Sequence, residues 1–373
     1  MHLVLAADDS RDELKRELAG AFPRQTRELR SGLFACSPPA KGPASFPYLA
    51  FARQVLPDAR EVSAPSIRTW ATLLVEAVAG TLPDDGPWSL HVYPFERSTN
   101  IKRVGARAWH SQARAGKPSL VQEAPVQSLV GHERCRLIRE AVLLQLQKKR
   151  RHLLRSLRTE TQPFAPDEAL VQLVLSQPEH GFLSVAPAPM LFKQRHVISP
   201  FAGGEVELAR DKAAPSRAFA KLIEAEARLG RSIQAGETCV DLGASPGSWT
   251  YVAALRGARV IAVDRAELRA DLMQHRSVRF QRADAFRYEP PAAVDWLLCD
   301  VIASADRSAE LLLTWLRKRW CRRFIVTLKV SGASGDEVVT RLKRELPALT
   351  SELWLLHLCA NKNEVTAFGK IAE

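Results

Sequence analysis

The run Val240–Asp241–Leu242–Gly243–Ala244–Ser245–Pro246–Gly247–Ser248–Trp249 carries the most specific chemistry in this chain. An apolar stretch ends in an acid, turns through small residues and opens a helix. Gly243 and Gly247 have no Cβ, so the backbone there can approach a ligand closely. The pattern differs from the phosphate-cradling GxGxxG and lacks the lysine of a P-loop, so a nucleotide phosphate is not the expected ligand. A cationic or zwitterionic ligand suits the Asp241 carboxylate better, and the aminopropyl arm of S-adenosylmethionine is one. Asp264 closes the next apolar run, where an acid can accept both ribose hydroxyls of an adenosine, and Asp284 closes a third, where it can accept from an adenine amino group. Each aspartate alone reads equally well as a helix cap. Three of them at three consecutive strand ends form a constellation.

Two more charged residues end apolar runs. Asp300 closes Trp296–Leu297–Leu298–Cys299. No Pro-Pro-aromatic segment follows it, so the stacking wall of a base-amine methylase is missing here. Cys299 alternates to the opposite face from Asp300 on a strand, which disfavours a cysteine nucleophile. Lys329 closes Phe324–Ile325–Val326–Thr327–Leu328. A lysine there either snorkels to the surface or stands in the ligand crevice, made neutral by burial and a neighbouring cation.

The elements needed to position these residues follow from periodicity. After Gly236, strand and helix signals alternate: 239–242, 247–255, 259–264, 266–273, 278–283, 294–300, 309–318, 323–329, 335–344, 352–358 and 364–369. Alternation of this kind predicts a parallel sheet with helices on both faces, and ligands of such sheets bind beyond the carboxyl ends of the strands. The amino-terminal half reads as α+β. Strands are expected at 2–7, 33–37, 88–95, 169–176 and 182–186, with helices at 11–21, at 66–80 ending on a Gly80 cap, and at 133–158. Residues 191–214 read as a linker.

The 373-residue chain is 46 % hydrophobic and 25 % charged, with a net charge of +12. It is long enough to bury a core without disulfides, and no apolar run is long enough for a membrane span. The start does not read as a secretory signal. Six cysteines form no CxxC pair, so neither a zinc knuckle nor a redox motif is supported and no metal is expected. They read as small apolar fillers in a reducing cytoplasm. The positive excess divides evenly either side of Met190, and nucleic acid is the usual polyanion for such a chain. Two basic stretches contain no acid: 97–122, which includes Trp109 and His110, and 141–159. On one continuous helix, Lys148, Arg151, Arg155 and Arg158 would share a face and could bind phosphates. A solvated helix face is the plainer alternative.

Ser216–Arg217–Ala218, Lys221–Leu222, Asp241–Leu242–Gly243–Ala244, Pro246–Gly247, Trp249, Asp300, Leu328–Lys329 and Glu364–Val365 occur in the order seen in the FtsJ-type (RrmJ-like) ribose 2′-O-methyltransferases, which residues 215–369 resemble. The resemblance implies a Rossmann-like, S-adenosylmethionine-dependent domain with a mixed, mostly parallel sheet. Asp241, Gly243, Ala244, Ser245, Pro246, Gly247, Trp249, Asp264, Asp284 and Asp300 would bind the cofactor. It also implies a catalytic tetrad of Lys221, Asp300, Lys329 and Glu364, in which Lys329 is the general base, Asp300 orients it and Glu364 holds Lys221. Leu49–Ala50–Phe51–Ala52–Arg53–Gln54 and Ala214–Pro215–Ser216–Arg217 further resemble the RlmM subgroup, which acts on a cytidine of bacterial large-subunit rRNA and carries a THUMP-like α+β module ahead of its catalytic domain. The organisation implied is a ferredoxin-like subdomain over 1–60, a THUMP-like RNA-binding domain over 61–190, the linker 191–214 and the methyltransferase domain over 215–373. RNA is the implied partner, without DNA or membrane, for a cytoplasmic monomer or weak oligomer. Ser248 departs from the family, standing where a second glycine is usual, and 330–335 lacks the proline and lysines of the subgroup. A base methylase on the same fold and an RNA-binding protein with a decayed catalytic domain are the alternatives.

Overall fold

The computed structural model describes all residues except 8–9, 24, 38–45, 83–85, 96–132, 159–167, 188–195, 207, 209–210 and 331, and the side chains of 332–334. The basic stretch 97–122 lies outside the described residues, as does part of the expected linker. The chain divides into two compact units. The first comprises Met1–Leu5, Gln25–Phe46 and Arg53–Leu208. The second comprises Ala6–Arg24, Pro47–Ala52 and Ala209–Glu373.

The first unit holds two four-stranded sheets. One contains β1 (His2–Ala6), β2 (Thr26–Arg30), β3 (Leu33–Cys36) and β4 (Ala52–Leu56), in the order β2-β3-β1-β4. The other contains β5 (Arg60–Ser63), β6 (Trp88–Pro94), β7 (Ala169–Gln177) and β8 (His180–Ala186), in the order β5-β8-β7-β6. Helix α2 (Ile67–Thr81) buries Trp70, Ala71, Leu74, Val75 and Val78, the apolar stripe of a 3.6-residue period. Its first turn is capped by Ser66, whose Oγ accepts from the Thr69 amide at 3.1 Å. Gly80 lies inside the helix and is not its cap.

The helix expected over 133–158 is two helices, α3 (Glu133–Lys149) and α4 (Arg151–Ser156), because Arg150 leaves helical backbone geometry at φ −144°, ψ 57°. Contacts to β6 account for the break. The Trp88 indole N–H donates to the Leu153 carbonyl at 2.8 Å, and the Arg158 amide donates to the Trp88 carbonyl at 2.7 Å. Lys148, Arg151, Arg155 and Arg158 therefore do not form one row on one helix. All four are exposed, and Arg158 pairs with the buried Glu168 at 3.1 Å.

In the second unit, β9 (Thr238–Leu242), β10 (Arg259–Asp264), β11 (Val278–Arg282), β12 (Val294–Cys299), β13 (Cys321–Lys329), β14 (Thr350–Leu356) and β15 (Glu364–Ile371) form one sheet in the order β11-β10-β9-β12-β13-β15-β14. Its first five strands are parallel. β15 runs antiparallel to both β13 and β14. This is the Rossmann-like, mixed and mostly parallel sheet that the family resemblance implies; the alternating pattern alone predicts a parallel one, and the antiparallel β15 departs from it. Its helices are α5 (Phe219–Leu229), α6 (Ser248–Leu255), α7 (Ala270–Met273), α8 (Ala305–Arg317) and α9 (Gly332–Glu345). Strand order reverses between β9 and β12, so the loops leaving β9, β10 and β12 open into one crevice at the carboxyl edge.

Helix α1 (Arg11–Ala21) belongs to this second unit, where Arg16 pairs with Asp336 at 2.8 Å and Glu17 pairs with Lys343. So does 47–52. Both oxygens of Glu17 accept backbone amides from this segment, Ala50 at 2.7 Å and Phe51 at 3.2 Å. Five cysteines are buried, but Cys359 is exposed and is not core filler. No helix of the described residues is long and apolar enough to cross a membrane.

Candidate active site

Four charged side chains meet at the carboxyl edge of the second unit's sheet. β12 delivers Asp300 just past its last residue, and its parallel neighbour β13 ends on Lys329. The antiparallel register pairs Lys329 directly with Glu364, the first residue of β15, which makes the two a cross-strand pair. Helix α5 adds Lys221. Lys221 Nζ donates to both oxygens of Asp300, at 3.0 and 3.1 Å, and lies 2.7 Å from Glu364 Oε2. Lys329 Nζ donates to the other Glu364 oxygen at 2.6 Å.

All four expected catalytic residues therefore stand together, and Glu364 holds Lys221 as expected, but Asp300 is bound by Lys221 where Lys329 is the expected partner. Glu364 contacts both lysines, and the direct partner of Asp300 is Lys221. The β13–β15 register is the reason, since it sets Lys329 opposite Glu364. Lys329 is the most open of the four, with 36 % of its side chain exposed against 8 % for Glu364. Burial pushes the Asp300 carboxyl above its ordinary range, with the charge and hydrogen bonds of Lys221 opposing. Burial also pushes Glu364 up, but hydrogen bonds from Lys221 and Lys329 outweigh it and hold Glu364 below the usual carboxylate range.

The glycine turn lies directly against this cluster. Gly243 has φ +73°, and a Cβ there would stand 2.9 Å from Val301, the residue after Asp300. Gly247 has φ +109° and opens α6. Asp264 fastens the turn, accepting from the Ser245 amide at 3.0 Å and the Ala266 amide at 2.8 Å. Ala244 is buried and Pro246 exposed. Asp284 accepts from the Phe286 amide at 3.0 Å and from Arg265 at 2.6 Å, and these two bonds hold its carboxyl below the ordinary range. Asp264 thus ends β10 beside the crevice as expected, whereas Asp284 lies two residues past the end of β11; each keeps lone pairs for further donors.

Asp241 and Trp249 stand differently. Asp241 is only 2 % exposed and accepts from the Thr250 hydroxyl at 2.7 Å, so it braces β9 against α6. Burial, opposed by the hydrogen bonds from Thr250, pushes its carboxyl up to about 7. Trp249 is buried, and its indole N–H donates to the Ala218 carbonyl at 2.8 Å. It secures the segment leading into Lys221 and faces no open crevice.

Sequence reasoning missed three supports. Ser248, the departure from glycine, is buried and shares a 2.7 Å hydrogen bond with the Ser216 hydroxyl, which ties the glycine turn to the approach of α5. His357 Nδ1 lies 2.8 Å from the Glu364 carbonyl, and the His357 amide donates to the Ala50 carbonyl at 2.6 Å. The Asn361 side-chain amide also donates to the Glu364 carbonyl, at 3.1 Å. The matched segment beginning at Leu49 thus contributes to the second unit through Ala50. The co-occurrence of Ser216 and Ser248 was the only signal for these supports readable in the sequence.

Residues 214–359 match the FtsJ-like methyltransferase family. The chain is 37 % identical over 180 residues to Ribosomal RNA large subunit methyltransferase M of Marinomonas sp., covering 45 % of this chain and 51 % of that protein. It is 32 % identical over 222 residues to the protein of the same name from Laribacter hongkongensis, covering 56 % and 58 %. The chain thus spans about half the length of the curated relatives it matches. In structure it is similar to the fibrillarin pre-rRNA processing protein of Methanococcus jannaschii, with a TM-score of 0.31 and 18 % identity over 39 % of this chain and 73 % of that one.

Proposed function

We propose, on the premise that residues 214–359 fall within the FtsJ-like methyltransferase family, that this protein is an S-adenosylmethionine-dependent enzyme methylating a ribose 2′-hydroxyl of RNA, with large-subunit ribosomal RNA as substrate. The observation that carries this reading is the Lys221–Asp300–Glu364–Lys329 network set against the Gly243 turn. The residues present fit the cofactor. Gly243 and Gly247 leave bare backbone at the turn, and Asp264 and Asp284 offer acceptors at the next two strand ends for the ribose and the adenine amine. Asp241 supports the turn from beneath. S-adenosylmethionine supplies, when bound, a methyl group on a sulfonium that leaves as a neutral thioether.

A ribose hydroxyl is a weak acid and a poor nucleophile, so transfer requires alignment and removal of its proton. Lys329, the most open of the four, is the general base that takes that proton as the oxygen–methyl bond forms. Glu364 fixes the Lys329 amine and shares Lys221. Lys221 in turn donates to both Asp300 oxygens, opposing the effect of burial on that carboxyl, and orients it towards the ribose. In the first unit, the THUMP-like domain over 61–190 presents Lys148, Arg151 and Arg155 to the phosphate backbone. The test is methyl transfer from labelled S-adenosylmethionine to protein-free large-subunit rRNA from a deletion strain, read by nucleoside mass spectrometry. A 2′-O-methylated nucleoside is expected. A base-methylated nucleoside would overturn the assignment.

A further inference from the structure

Helix α5 carries a second acid–base pair behind Lys221. Glu224, less than one turn on, is 1 % exposed, and Arg228, four residues further, is 3 % exposed. Burying a carboxylate and a guanidinium is costly unless their hydrogen-bonding capacity is met. Here it is met, in part by the chain's own backbone. Glu224 Oε1 accepts from Arg228 Nε at 3.0 Å and Nη2 at 2.7 Å. The same oxygen accepts the Cys359 amide at 3.1 Å, and Oε2 accepts the Ala360 amide at 3.3 Å.

Cys359 and Ala360 lie in the turn between β14 and β15, four to five residues before Glu364. The turn continues to Asn361, which holds the Glu364 carbonyl, and the Asn363 carbonyl accepts from the Val330 amide at 3.0 Å, beside Lys329. Glu364 then returns to α5 through its 2.7 Å contact with Lys221. The path closes on itself: α5, Glu224, the turn, Glu364, Lys221 and α5 again. One helix thus supplies a member of the charged network and also fixes the backbone that delivers another. A core ion pair serving stability alone does not require two main-chain amides from this particular turn.

We propose that Glu224, held by Arg228, is a positioning residue for the charged network, fixing the Cys359–Ala360 backbone so that Glu364 reaches Lys221 and Lys329 together. Its catalytic consequence rests on the methyl-transfer reading above; its geometric content does not. Glu224→Gln alone leaves Arg228 buried without its counter-ion, so the test uses the full chain carrying Glu224→Gln with Arg228→Met, and separately Glu224→Asp. The aspartate variant keeps the charge but withdraws it from the turn.

Two readouts are taken on folded protein. The first is the titration of the Glu364 carboxyl by carbon-13 NMR, which needs no turnover. Its midpoint is expected to rise towards the ordinary glutamate value in both variants. The second is kcat for methyl transfer, expected to fall by about tenfold or more, the scale of a small misalignment, with S-adenosylmethionine affinity by calorimetry unchanged. Folded variants with an unshifted Glu364 titration overturn the proposal, as do variants whose kcat is that of the wild type. If the wild type itself transfers no methyl group, the functional reading fails, and the Glu364 titration still decides the positioning role.

Discussion

The two units of this molecule bury polarity in different ways. The first keeps its cationic run outside, on α3 and α4, and places mostly neutral groups in its interior. Tyr93 bonds Gln172 at 3.0 Å, Gln172 bonds the Val55 carbonyl at 3.0 Å, and Gln54 bonds the Ser199 carbonyl at 3.1 Å. Among its described residues, Arg53–Glu205 is an ion pair with both partners buried, and the buried Glu168 pairs with the exposed Arg158. The second buries charge repeatedly: Lys221 with Asp300 and Glu364, Arg228 with Glu224, and Arg256 with Glu226. Neutral networks can specify a fold, whereas buried ions are costly and add little net stability. Where ions cluster at the end of a parallel sheet, chemistry is the better account of their presence.

Removing one partner from each interior sharpens that contrast most. Lys221→Met leaves Asp300 and Glu364 buried with one cation fewer, and urea denaturation should show a loss of about 3–5 kcal/mol. Gln54→Leu in the first unit should cost less, about 1–3 kcal/mol, because the groups that lose a partner, two carbonyls and two backbone amides, are all neutral. Equal losses would remove the distinction between the two interiors.

The pH dependence of stability separates the units by sign. His91, in β6, is fully buried, neither ring nitrogen has a hydrogen-bond partner among the described residues, and burial pushes its imidazole down to about 3 from 6.5. Between those values the unfolded chain holds a proton that the folded one lacks. His91 therefore costs stability progressively as the pH falls from 6.5 towards 3. Asp241 runs the other way. Its carboxyl is raised from 3.8 to about 7, so the folded state holds the extra proton, and that contribution is present below 3.8 and lost as the pH rises through 7. His91→Leu should flatten the acid-side slope, and Asp241→Asn should flatten the opposing one. Denaturation curves from pH 4 to pH 8 check both; a change of the same sign from the two variants contradicts the assignments.

The exposed cations give the smallest effect. Converting Lys148, Arg151 and Arg155 to Gln should leave stability within about 0.5 kcal/mol. RNA affinity should fall, with a shallower dependence on salt. An unchanged salt slope would return these residues to the status of a solvated surface.

Most of the second unit was legible in the sequence because local pattern and long-range structure agree there. Apolar runs ending in Asp264 and Lys329 are buried parallel strands, and the glycine turn needs positive φ at Gly243 and Gly247. Side-chain direction was less legible. Asp241 reads as a ligand acid, but its place one residue before the end of β9 turns it towards Thr250. The pairing of Lys329 with Glu364 depends on strand register, which spacing alone does not give. In the first unit the break at Arg150 is imposed by Trp88, distant in sequence, so helical periodicity ran through it. The same limit hid the membership of α1 and Ala50 in the second unit, which rests on Glu17 and His357.

The most direct test of the central claim is single-turnover methyl transfer by Lys329→Ala, with cofactor affinity measured on the same preparation. Unchanged S-adenosylmethionine binding is expected, with a rate lower by about 10²-fold or more, the usual scale for a lost general base. A rate close to that of the wild type, at equal cofactor occupancy, would contradict that claim.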